Sequence, residues 1–179
     1  MKPRTLRLAA FLLWSALLAL AFLTSPPAAP DTGALLVHFM TGQLDGQNLS
    51  LFALFNLMGV WPAAMAVALR FDASPWKWPF VLGGFALGAF ALLPWLVLRP
   101  WDGRRATSAS GLLGSRWLAR ALALAGAGLG LLFLVGDLPG FVVLWRTQQF
   151  PYVMSLDFAA MTLAAGLLRL ERPTAAPMG

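Results

Sequence analysis

The chain has 179 residues, of which 59% are apolar and 11% charged, with a net charge of +6 and no cysteine. An average globular chain carries about 45–50% apolar and about 25% charged residues, so this one cannot cover a water-facing surface, and lipid is its expected solvent. The lack of cysteine excludes disulfides, thiolate metal sites and cysteine nucleophiles. The basic residues lie in short clusters beside apolar runs, which speaks for anionic headgroups and against nucleic acid as the partner.

The expected fold is an all-α integral membrane bundle, a single transmembrane domain of about five spans with one or two short interfacial helices. The first apolar run, Leu6–Thr24, follows Lys2, Arg4 and Arg7 and ends before Ser25-Pro26-Pro27. It reads as a retained helix; a cleaved signal peptide is the alternative. The stretch 34–40 is too short to span and reads as an interfacial helix. The second and third spans are expected at about 50–69 and 79–98, joined by a short Pro- and Trp-containing link. A basic loop, Arg99–Ser115, precedes a fourth span at about 116–136. Asp137-Leu138-Pro139-Gly140 marks a turn, residues 141–150 read as a second interfacial helix, and the fifth span covers about 151–168. The tail 169–179 is polar. Trp76, Trp78, Trp95, Trp101, Trp117, Trp145 and Tyr152 fall near these boundaries, where amphipathic rings prefer to sit.

Five spans leave the orientation undecided. The side of the amino terminus would hold Lys2, Arg4, Arg7, Arg70, Lys77 and Arg146, and the other side Arg99, Arg104, Arg105, Arg116, Arg120, Arg169 and Arg172. Basic residues normally gather on the cytoplasmic side. A re-entrant segment in place of one span would remove the conflict, but nothing in the sequence identifies which.

Three spans carry small residues four apart, a pattern that lets membrane helices approach closely: Gly59 and Ala63, Gly84 and Gly88, Gly126 and Gly130. Pro62 and Pro94 stand inside spans and should kink them. Asp157, two turns into the fifth span, is the costliest residue, by about 2.5–3.5 kcal/mol at mid-membrane. It is read either as a proton or cation site or as a helix-start carboxylate near the interface, satisfied by Ser155 or by first-turn amides, with Arg146 or a group on another helix as its charged or polar partner. Asn56 needs an amide partner, across a helix interface or in a polar pocket. The single histidine, His38, has no companion ligands for a metal. No nucleotide-binding glycine loop, HExxH, GxSxG or paired-carboxylate arrangement is present, so no catalytic residue, metal or cofactor is expected and the reading leans against an enzyme.

The stretch Leu51–Pro62, followed by Pro79-Phe80-Val81 and by Gly88–Trp95, resembles a family of uncharacterised multi-pass membrane proteins from cyanobacteria and plastids. Phe150–Phe158 is similar to its closing motif. The resemblance covers about half of the chain. It implies a membrane protein without specifying a chemistry, and it implies that Asn56, Pro62, Pro94 and Asp157 belong to a recurring pattern.

The leading expectation is a non-enzymatic accessory or assembly component of a bacterial inner or plasma membrane. Its partners would be membrane lipids and either other membrane proteins or further copies of itself. The alternatives are a small-solute or ion translocator using Asp157 and Asn56, and a membrane enzyme acting on lipid or quinone.

Overall fold

The computed structural model describes residues 3–43, 48–72, 74–99 and 115–170. Among them the fold is all-α, with eight α-helices: α1 (Pro3–Leu23), α2 (Thr32–Thr41), α3 (Leu49–Ala68), α4 (Lys77–Leu87), α5 (Ala89–Leu98), α6 (Arg116–Val135), α7 (Leu138–Thr147) and α8 (Gln149–Leu170). Four of them, α1, α3, α6 and α8, are long and apolar enough to cross a membrane. The short helices expected near 34–40 and 141–150 correspond to α2 and α7. The basic loop after Arg99 and the tail after Leu170 lie outside the described residues.

The local chemistry sets the helix starts. Asn48 caps α3, its side-chain oxygen accepting the Leu51 N–H at 2.9 Å. Asp137 caps α7 by accepting the Gly140 N–H at 2.9 Å. These side chains meet donors that a helix start leaves unpaired. The two caps are also joined, because the Asn48 amide donates to the Asp137 carbonyl at 2.8 Å.

Polar contacts define two ends of the bundle. At one end an Arg7 guanidinium nitrogen donates to the Arg99 carbonyl at 3.3 Å. There Arg99 Nε also lies 3.4 Å from Asp72 Oδ2, and Lys77 Nζ donates to the carbonyls of Leu69 and Asp72 at 3.0 and 2.6 Å. At the other end the Thr24 and Tyr152 hydroxyls are 2.8 Å apart. The Gln149 N–H donates to the Pro27 carbonyl at 3.1 Å, and the Ser50 hydroxyl donates to the Phe133 carbonyl at 2.9 Å. The four long helices therefore alternate in direction, α1 and α6 leaving the first end and α3 and α8 returning to it.

The expected third span, about 79–98, is not one helix. It is broken at Gly88 into α4 and α5, and the two fold back on each other. A methyl group built on Gly83 would lie 3.2 Å from Ala91 Cβ, and one on Gly84 would lie 2.8 Å from Leu92 Cδ1. Residues eight apart along a continuous helix are separated by about 12 Å, so these approaches require a hairpin. The Arg99–Asp72 pair closes it, returning the end of α5 to the end from which α4 departs. The turn depends on Gly88, whose φ of 55° and ψ of −130° suit only glycine.

The core divides along the bundle. One buried cluster, including Leu6, Met65, Leu92, Leu96 and Met161, surrounds the hairpin. The other, with Phe39, Leu51, Leu54, Phe141 and Met154, joins α2 and α7 to α3 and α8. Helix α6 stands apart: it packs against α3, yet none of its residues is buried.

Candidate functional site

The tip of the hairpin meets α8 at Asp157. Breaking a helix exposes the first amides of the segment that follows, and these need acceptors. Asp157 supplies them. Its Oδ1 accepts the Ala89 N–H at 2.6 Å, and the Phe90 amide lies close to the same carboxylate. The positive end of the α5 dipole faces the negative charge, so the alignment is favourable twice over. Asp157 is only 4% exposed. A side chain on Gly88 would run into Asp157 Oδ2, so glycine is required there for its backbone angles and for its lack of bulk.

The carboxylate meets a first-turn amide, as one sequence reading of Asp157 has it, but the amide belongs to α5 and the group is buried, whereas that reading has it at the start of its own helix. Ser155 does not serve it, donating instead to the Pro151 carbonyl at 2.7 Å. Arg146, the cation considered for it, lies on α7 with its side chain exposed.

Beyond the tip lies a cavity of about 450 Å³. Its floor is the hairpin tip with Asp157. Its walls come from Phe55, Asn56, Met58 and Gly59 of α3 and from Phe150, Val153 and Met154 of α8, with Leu36 of α2 above. Asn56 and Asp157, singled out separately in the sequence, thus line one cavity. The Asn56 amide nitrogen donates to the Phe52 carbonyl one turn back, at 2.9 Å. That leaves its side-chain oxygen as an acceptor on the cavity wall.

The small residues have different surroundings. Gly84 approaches Leu92 and Pro62, and Gly88 approaches Asp157. Gly59, Gly126 and Gly130 have open space where a Cβ would project, and Ala63 is half-buried. Gly59 opens on the cavity, whereas Gly126 and Gly130 line two further grooves between α6 and the bundle. Pro62 is buried against the hairpin and Pro94 lies inside α5. His38 sits in the last turn of α2. Among the described residues no group of three or more His, Cys, Asp or Glu could hold a metal.

Sequence reasoning missed the cluster at the basic end, where Lys77 and Arg99 are buried. Arg99 was read as the far flank of a span; its nearness to Asp72 is a consequence of the hairpin. The signal that could have found it is Gly83-Gly84 with Gly88 at the middle of that run. Comparison with family profiles, with curated proteins and with solved structures finds no match.

Proposed function

We propose that this chain is a multi-pass integral membrane protein with four spans, α1, α3, α6 and α8, and one re-entrant hairpin, α4–α5. We further propose that it serves as a non-enzymatic accessory or assembly component of a bacterial inner or plasma membrane. Each arm of the hairpin is 10 or 11 residues long, about 16 Å, or half of a hydrocarbon core of about 30 Å. Broken backbone at that depth is tolerated where protein satisfies it, which is the task of Asp157. The Arg99–Asp72 pair supports the same topology, because in a five-span arrangement these residues would sit on opposite faces.

This topology also resolves the charge distribution. Among the described Lys and Arg residues, Arg146 alone falls on the side away from the start of α1. Such a bias sets the basic side as cytoplasmic. The test exploits the absence of native cysteine. Single cysteines in place of Ser74 and Ser115 are expected to react with a membrane-impermeant maleimide from the same, cytoplasmic side, and one in place of Thr147 from the other. Labelling of Ser74→Cys and Ser115→Cys from opposite sides would restore five spans and overturn the hairpin reading.

The accessory role rests on α6, a 20-residue apolar helix with no buried residue. Ala121, Ala125 and Gly128 are exposed along its outward face, a small-residue surface suited to a transmembrane helix of another membrane protein. Gentle extraction with crosslinking is expected to retain a companion membrane protein, lost when Gly128 becomes Leu. A companion-free monomer would overturn the role. A second reading, the solute or ion translocator, is favoured by the convergence of Asn56 and Asp157 on one cavity. An ion flux in reconstituted vesicles that Asp157→Asn abolishes would favour it over the first.

A further inference from the structure

We infer that the cavity above the hairpin tip is a binding site for a membrane-dissolved, uncharged amphiphile with a hydroxyl or carbonyl head and an apolar body. The inference rests on the membrane placement proposed above. It goes beyond the accessory role, since it concerns the opposite side of the molecule from the outward face of α6.

The chemistry of the lining selects the ligand class. A cation is disfavoured because the Asp157 carboxylate is already engaged by the Ala89 amide, and the α5 dipole opposes added positive charge. No second carboxylate lines the cavity. An anion is disfavoured because the nearest fixed charge is that carboxylate and no Lys or Arg lines the wall. What remains is hydrogen bonding to Asn56 on one wall and apolar contact along the rest of the lining. Asn56 offers both a carbonyl oxygen and its second amide hydrogen, and in an apolar setting an amide left unpaired is costly. Phe55, Met58, Phe90, Phe150 and Met154 supply adaptable apolar walls. The volume of about 450 Å³ lies within the range of small-molecule pockets, about 300–1,000 Å³.

The opening indicates the source. Phe85 and Leu87, on the cavity rim, are 54% and 61% exposed. In the proposed placement they face lipid at the depth of the hairpin tip. The ligand therefore arrives sideways from the bilayer, in the leaflet opposite the basic face, and carries its head to mid-depth. A water-borne solute would not use such a lateral mouth.

The test uses three photoreactive probes of equal chain length, each a diazirine-bearing C16 chain, with hydroxyl, ammonium or carboxylate heads. The full-length protein in nanodiscs is expected to be labelled by the alcohol on cavity residues such as Phe55 and Met154, at least fivefold above the ammonium and carboxylate probes. Gly59→Phe projects into the cavity from a position where a Cβ meets no atom within 4 Å, so it should fill the site without disturbing the fold. It is expected to cut alcohol labelling about fivefold, whereas Gly128→Phe on α6 leaves it unchanged. Asn56→Leu should reduce labelling by the alcohol but not by a headless alkane of the same length. Equal labelling of Gly59→Phe and the parent protein, or preference for the ammonium or carboxylate probe, would overturn the inference. Cysteine labelling reports the topology separately, so failure of the site and failure of the membrane placement give different results.

Discussion

Helix α6 and the α4–α5 hairpin are nearly equal in length and similar in apolar content, and both look like spans in the sequence. Their fates are opposite. Helix α6 runs unbroken for 20 residues and buries none of them, while the hairpin turns halfway and fully buries Ala89, Leu92, Leu93 and Leu96. The difference teaches that apolar content alone does not decide whether a segment runs straight or folds back. A continuous helix satisfies its own backbone and can stand against lipid alone. A broken one must borrow acceptors, and it folds back only because Asp157 and the buried packing of α1, α3 and α8 receive it.

The contrast can be broken most strongly at its hinge. Gly88→Ala places a methyl group against Asp157 in a backbone conformation that only glycine holds comfortably, and a loss of about 4 kcal/mol is expected, read as a fall in thermal unfolding temperature in detergent. Asp157→Ala comes next. It strands the Ala89 amide in the buried tip, at about 3 kcal/mol, and hydrogen exchange should show that amide losing protection first. Asp157→Asn retains one acceptor oxygen and should cost about 1 kcal/mol; an equal loss in the two variants would remove capping as the role of Asp157. On α6, Gly128→Ala meets no atom within 4 Å and should change stability by under about 1 kcal/mol, in the stabilising direction, through helix propensity. A large loss there would mean that α6 is packed more tightly than its exposure indicates.

The long helices were legible because each is a complete apolar run flanked by charge, and their observed limits fall within three residues of those expected. Asp157 and Asn56 were legible as polar groups that lipid would penalise. Their convergence was not, since it depends on the direction α5 takes after Gly88, and a glycine inside an apolar run is compatible with straight, kinked and reversed backbone alike. The same ambiguity hid the pairing at the basic end: reversing one segment returns Arg99 to the face where Asp72 and Lys77 lie. The sequence left open which segment reverses, and the contact between Arg99 and Asp72 identifies it as the run 77–98.

The carboxylate that seals the hairpin tip lies 68 residues downstream of the amide it receives. A ribosome adding about 5–20 residues per second needs roughly 3–14 s to cover that distance. For most of that interval α4 and α5 have been made but the acceptor for their turn has not. Helix α8 therefore acts as a keystone in biogenesis, and a chain halted before residue 157 would carry a hairpin whose tip amide has no acceptor.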